Sequence, residues 1–417
     1  VFDILSHQAQ SELGTITQTL FFMGDGLQRA ATDGFFDLLR PQTWMPGNIL
    51  RLGSDALRQG VQLSRILLPD QANLAWQELK NKLEVFILVK NLESILHLPT
   101  GQFIPLPQLV EKAYTVSPFS ALWAVEGLGH YYTDMYWKTK GVPHGLLSEE
   151  QAPVPPKSLL MLHAGMGLAF ADRLLGNLTS QATGDQVRST LEYFLTLCRN
   201  NSRPGYLGAA IESLGLVTRD FYSDLVQRVE QQLRQIAPEF LGFFWHGVGR
   251  ALYFSREYFM PVLRTVWSGV DTEVSNASDR LSAMAGLTWA VTLVNMRQPA
   301  IMENMVRSYI ENSDLTEGFT NGVMSSIIMR ADTTPDASFT STFYQHRPRA
   351  NDPRLAATWQ NRIAIPAQVA LHTYYPVLQQ HHALDQVFRY QDLAALCAYL
   401  QQHNTDAGAA VHAYQSH

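Results

Sequence analysis

Apolar positions recur at three- and four-residue spacing along most of this chain. From Gln71 to Glu93, the residues Ala72, Ala75, Trp76, Leu79, Leu83, Phe86 and Ile87 fall on one stripe of a helix. Comparable patterns predict helices over 8–22, 26–40, 184–199, 220–236, 276–296, 300–313 and 355–374. Strand-like alternation bounded by turn pairs is scarce. The expected class is all-α, with at most minor extended pieces.

Two stretches interrupt the rhythm. Gly141 to Lys157 carries Pro143, Pro153, Pro155 and Pro156, which cannot continue a helix. Ala331 to Arg354 is polar, with Pro335, Pro348 and Pro353. Loops of that length are functional, partner-bound or disordered. The Ala-, Gln- and His-rich tail after Gln401 is expected to fray. The resulting division is an N-terminal helical region (1–115), a duplicated helical core (116–300) and a C-terminal helical region (301–417).

The duplication rests on two repeated blocks. Ala124-Val-Glu126-Gly127-Leu128-Gly129, with Asp134 and Tyr136 beyond it, matches Ala210-Ile-Glu212-Ser-Leu214-Gly215, with Asp220 and Tyr222. Ala, Glu, Leu, Gly, Asp and Tyr recur at identical offsets. Gly165-Met-Gly167-Leu168-Ala169 then recurs as Gly247-Val-Gly249-Arg250-Ala251. The implied copies lie at about 120–200 and 205–290. Such a unit buries its apolar face against its twin, as helical-repeat architectures do. A shorter echo, Gly24-Asp-Gly26, does not amount to a third copy. Each glycine inside a helix costs about 1 kcal/mol relative to Ala. Glycines two apart face nearly opposite sides, so close packing against neighbours on both flanks offsets that cost. A backbone cradle for a ligand is the alternative.

Composition narrows the function. Of 417 residues, 46% are hydrophobic and only 16% charged, with a net charge of −6. About 25% charged is usual, so part of the surface is expected to be covered by another subunit, a protein partner or a lipid layer. An acidic, charge-poor chain has no electrostatic footprint for nucleic acid. Cys198 and Cys397 make neither a disulfide framework nor a thiol zinc site. The longest uncharged apolar-leaning run, Leu281 to Met296, falls short of the ~18–20 residues of a spanning helix. The expectation is a soluble chain, the cytoplasm favoured over other compartments, with peripheral membrane contact left open.

Glu126, His130 and Asp134 stand at i, i+4 and i+8 and share one helix face. With His163, two carboxylates and two imidazoles form a candidate metal or acid–base set. The second copy retains Glu212 and Asp220 but has Leu216 in place of His130, which speaks against a duplicated metal site. The competing expectation is a buried ion-pair network in which Glu126 and Asp134 meet Arg173 or Arg250. Aromatic runs around Tyr131, Tyr132, Tyr136 and Trp137, and around Phe240, Phe243, Phe244 and Trp245, suit either a core or an apolar pocket. Walker-type, HExxH and GxSxG signatures are absent from the sequence.

Gly247-Val-Gly249-Arg250-Ala251-Leu-Tyr-Phe254, followed by Trp267-Ser-Gly269-Val, resembles a bacterial family of unknown function associated with enediyne polyketide gene clusters. Leu162-His163-Ala-Gly165-Met-Gly167-Leu-Ala169, Glu126-Gly127-Leu-Gly129-His130-Tyr and His372-Thr are similar to further segments of that family. The likeness spans about 120–375, and the chain departs from it after Gly269, at Asp271-Thr-Glu-Val, as a distant member would. The resemblance implies a polyketide setting and no settled activity. Two functions are therefore expected. The first is a non-catalytic helical-repeat accessory or scaffold protein that binds a protein partner or a second copy. The second is a metal- or cofactor-dependent enzyme acting on an apolar polyketide or fatty-acyl substrate.

Overall fold

In a computed structural model of the chain, residues 69–90, 92–96, 98, 104–259, 266–309, 316–335, 337–348 and 352–403 are described. Every regular element among them is helical, and none is a strand. The helices expected over 8–22 and 26–40, the Gly24 echo and the tail beyond 403 lie outside the described residues.

The chain divides into two compact units: Val1–Leu83 with Arg256–Arg264, and Glu84–Ser255 with Thr265–His417. In the first, the buried Lys82 ammonium donates to the carbonyls of Tyr258 and Phe259 and pairs with Glu78 at 3.3 Å. The second holds almost everything else. The boundaries expected near 116 and 300 fall inside it, because helices on either side of each pack together.

The helices are α1 (Pro69–Lys90), α2 (Leu106–Tyr114), α3 (Ala121–Lys140), α4 (Leu159–Leu175), α5 (Gly184–Asn201), α6 (Leu207–Phe221), α7 (Val226–Ile236) and α8 (Leu241–Phe254). They continue as α9 (Trp267–Glu273), α10 (Ala277–Asn295), α11 (Pro299–Tyr309), α12 (Thr316–Thr333), α13 (Phe339–Gln345), α14 (353–380) and α15 (Leu393–Gln402). Six of them form a row, α3–α4–α6–α8–α10–α12, each packed on the next. The row bends back on itself. Arg330 of α12 donates to the Phe119 carbonyl just before α3, and Trp123 of α3 meets Trp289 of α10 edge-on at 6.3 Å.

Glycines set the spacing of this row. A Cβ on Gly165 would strike Glu126 O and His130 N of α3, whereas one on Gly167 would strike Ala210 of α6. On α8, Gly247 abuts Glu212 O and Leu216 N of α6, and Gly249 abuts Ala283 O of α10. Each helix thus touches both neighbours through glycines two apart, backbone against backbone, where Cα–H···O contacts and dispersion offset the propensity cost. The α3–α4 and α6–α8 crossings use corresponding positions of the repeated blocks.

Helices buried all round lose the one-faced pattern, as α4, α8 and α10 do. With its leading 3-10 turn, α4 (Pro156–Leu175) is long and apolar enough to cross a membrane, yet 83% of its apolar window is buried inside the protein. α5 and α7 pair on the outside and keep polar faces; α5 begins with a Thr183–Gln186 capping box. α14 packs on α12 and contains two π-helical turns, Gln360–Ala364 and Ala370–Tyr374. Each widens the helix just before a proline, Pro366 or Pro376, whose ring and missing N–H a regular turn would not accommodate.

Both interruptions read from the sequence carry more order than expected. Arg203 donates to the carbonyls of Leu147, Ser148 and Ala152, and the Asn201 side chain holds Pro143 O and Leu146 N, so the proline-rich segment is clasped. The 331–354 stretch contains α13, anchored by buried Phe343 and by Phe339 against Phe119 at 5.3 Å.

Candidate functional site

The four residues expected to hold a metal do not converge. His163 is fully buried on α4, with Nδ1 donating to Leu159 O at 2.7 Å and Nε2 accepting from Arg203 N–H at 3.0 Å. Its ring stacks on Tyr206 at 5.1 Å, and burial holds its pKa down to about 3, so it is a neutral structural imidazole. Asp134 pairs with Arg173 at 2.9 Å and with Lys138; burial opposes its charge, but these partners hold the carboxyl below its ordinary value. His130 Nε2 lies 3.5 Å from Asp172. Glu126 turns to the interior. Among the described residues, no three His, Cys, Asp or Glu side chains gather as a metal site needs. The i, i+4, i+8 spacing does give one face, but α4 and α8 meet that face with arginines.

The structure assembles a different group, at the centre of the row. Arg250 on α8 donates through Nη2 to Glu126 Oε1 on α3 and through Nη1 to Glu212 Oε2 on α6 at 3.3 Å. Glu212 Oε1 meets His246 Nδ1 at 3.2 Å, and the Arg250 guanidinium lies 4.9 Å from the Trp289 ring centre. Glu126, Glu212 and His246 are 0% exposed and Arg250 is 3% exposed. Burial pushes the Glu126 carboxyl above its ordinary value and the His246 imidazole below its own. Burial also works against the Arg250 charge, yet the two carboxylates hold it firmly protonated.

Four buried atoms of this group have no hydrogen-bond partner among the described residues: Glu126 Oε2, Arg250 Nε, His246 Nε2 and Trp289 Nε1. Of these residues, Glu126 and Arg250 line a cleft walled by Val85, Phe86 and Val89 from the end of α1, Leu168 and Asp172 of α4, Leu216, Val217, Asp220 and Phe221 of α6, and Phe254 of α8. The cleft opens to solvent at its mouth, and its wall is mainly apolar. Phe86 and Phe254 meet edge-on at 5.5 Å on that wall. A concave apolar site with a few convergent polar groups is the usual form of a small-molecule site.

Sequence reasoning had singled out Glu126, Glu212 and Arg250, though not as one group. It missed Leu168, Asp172, Leu216 and Phe254 as wall residues. One signal pointed to them. Leu168 and Arg250 occupy the same place in the second repeated block, and His130 and Leu216 the same place in the first. Leu168, Leu216 and Arg250, where the two segments differ, line the cleft together with Glu126 and Asp220, where they agree. In comparisons with known proteins, no family model, no curated protein and no solved structure matches the chain.

Proposed function

We propose that the chain is a helical-repeat accessory protein that holds an apolar, polyketide- or fatty-acyl-like molecule in the cleft between the end of α1 and α3, α4, α6 and α8. One observation carries this reading: Glu126 and Arg250, whose Oε2 and Nε atoms are buried with no hydrogen-bond partner among the described residues, line a mainly apolar cleft. An unpaired buried polar atom costs about 1–3 kcal/mol, which a ligand group bonding to it recovers. Apolar contact adds about 25 cal/mol per Å² removed from water. The class of ligand follows the resemblance of the Glu126, Gly165 and Gly247 segments to the polyketide-associated family. The repeated blocks and their matching helix crossings support descent of the row by duplication. The low charge fits a partner subunit covering part of the surface.

The test is fluorescence titration with N-phenyl-1-naphthylamine, a neutral apolar probe. Saturable one-to-one binding is expected for the natural chain, weakened at least tenfold by Leu216→Trp, which fills the cleft. Non-saturable binding, or equal binding by a folded Leu216→Trp variant, defeats the reading. An enzyme acting on the same molecule is the second reading, favoured by a buried carboxyl of raised pKa at the cleft wall. Turnover of a bound chain that Glu126→Gln abolishes without weakening binding would select it.

A further inference from the structure

The α4–α6 and α8–α10 pairs are held at the same backbone spacing by the same contacts. A Cβ on Gly167 would strike Ala210 of α6, and one on Gly249 would strike Ala283 of α10. Beside these, Ser213 Oγ of α6 donates to Ala164 O of α4, and a Cβ on Gly286 of α10 would strike His246 O of α8. A third crossing follows the first two. Gly322 on α12 abuts Ala285 O and Trp289 N, as Gly165 abuts Glu126 O and His130 N, and as Gly247 abuts Glu212 O and Leu216 N. Trp289 therefore stands on α10 where Leu216 stands on α6. Arg250 follows Gly249 on α8 as Leu168 follows Gly167 on α4.

The two pairs use these matched places differently. Between α8 and α10 the Trp289 ring is 0% exposed and lies 4.9 Å from the Arg250 guanidinium. Trp123, His246 and Phe388 close it in, with ring centres 5.7–6.3 Å away. Between α4 and α6, Leu168 and Leu216 share the wall of the open cleft, and Leu216 is half-buried. Helices at the spacing that encloses an indole in one pair thus carry no ring of their own at that place in the other.

We propose that the cleft takes a flat, fused-ring hydrophobe, of the size of indole or naphthalene, whose ring lies against Leu168 and Leu216 as the Trp289 ring lies against Arg250. Phe86 and Phe254, edge-on to each other at 5.5 Å on the same wall, are aromatic partners for it. The inference rests on the cleft reading above and narrows its ligand. A rigid ring loses no rotamer freedom on binding, whereas a flexible acyl chain of similar apolar area must freeze its torsions. Leu216 then sets specificity, because a tryptophan there closes the slot as Trp289 does in the next pair.

Calorimetric titration of the natural chain with 2-naphthol and 1-octanol, which share a hydroxyl head group, tests this preference. The expected result is 2-naphthol binding one-to-one and at least tenfold tighter than octanol, with Leu216→Trp weakening naphthol at least tenfold. The comparison of the two ligands needs no variant, so it stands even where Leu216→Trp folds poorly. A smaller preference, or none, overturns the ring assignment while leaving the cleft as an apolar site. Undiminished naphthol binding by a folded Leu216→Trp variant places the ring elsewhere and overturns it too. Binding of neither ligand overturns the cleft reading itself.

Discussion

Arg250 reaches Glu126 across 124 residues of sequence, joining α8 to α3 with both side chains closed to solvent. The same guanidinium holds Glu212 on α6, so one residue ties three helices of the row. Close helix contact at glycines makes this reach geometrically feasible. With glycine at the α3–α4 and α6–α8 crossings, the helices stand near enough for side chains from the third neighbour to meet inside.

Removing the hub should be costly. Arg250→Leu, which installs the residue found at the matching position of the first copy, leaves two carboxylates buried without a cation. Urea unfolding should register a loss of about 3–5 kcal/mol. Adding Glu126→Leu to that variant should restore part of it, since an apolar replacement of a buried pair is often neutral. A loss under about 1 kcal/mol for Arg250→Leu alone would show that the group does not bear on stability.

Glycine substitutions should split by location. Gly165→Ala gains about 1 kcal/mol of helix propensity in principle. Its Cβ would nevertheless collide with the backbone of Glu126, His130 and Gly129, which cannot move without parting α3 from α4. A net loss of several kcal/mol, or failure to fold, is expected. Gly242→Ala, on α8, meets only ordinary contacts at 3.5–3.6 Å and should be neutral or slightly stabilising. Equal thermal shifts for the two variants would contradict the glycine-spaced row.

Much of this was readable beforehand, and the reasons are specific. Gly165 and Gly167 sit two apart, which requires neighbours on both sides, and the structure supplies α3 and α6. The Arg–carboxylate pairing of Glu126 and Asp134 was among the expected outcomes, because acids at i and i+8 on one face of a helix in a charge-poor chain need partners. The metal set was not realised: spacing fixes a face of α3 but says nothing about which residues of α4 and α8 oppose it. His163 belongs to a separate place, stacked on Tyr206. The order within 141–157 was hidden because its anchors, Asn201 and Arg203, lie a helix away.

Two buried titrating groups should give opposite pH slopes. Burial raises the folded Asp332 carboxyl to about 7, so the folded chain holds a proton that the unfolded chain releases, and stability falls as pH rises from about 4 to 7. Burial lowers His163 to about 3, so the unfolded chain takes the proton, and stability falls as pH drops below about 6.5. Each contributes a slope of about 1.4 kcal/mol per pH unit, and the two largely cancel between pH 4 and 6.5. Relative to the natural chain, Asp332→Asn should make stability climb with pH in that window, and His163→Gln should make it fall. Denaturant midpoints measured at several pH values decide it; parallel curves for all three proteins would refute both assignments.

Metal addition should leave the fold untouched. His163 has both ring nitrogens engaged, and Glu126 and Asp134 are each bonded to arginine. Manganese, iron(II) or zinc should therefore shift the unfolding temperature by less than about 2 °C, since ligands stabilise only by preferential binding to the folded state. A saturable rise that disappears in His130→Ala would restore a metal site on α3.

The cleft beside Glu126 and Arg250 is the proposed seat of an apolar molecule. Photolabelling with a diazirine-bearing long-chain alcohol, followed by peptide mapping, locates the bound chain directly. Saturable labels on Val85–Val89, Leu168, Leu216–Phe221 and Phe254, reduced in Leu216→Trp, are the predicted result. Labels confined to other surfaces, or labelling that never saturates, would contradict it.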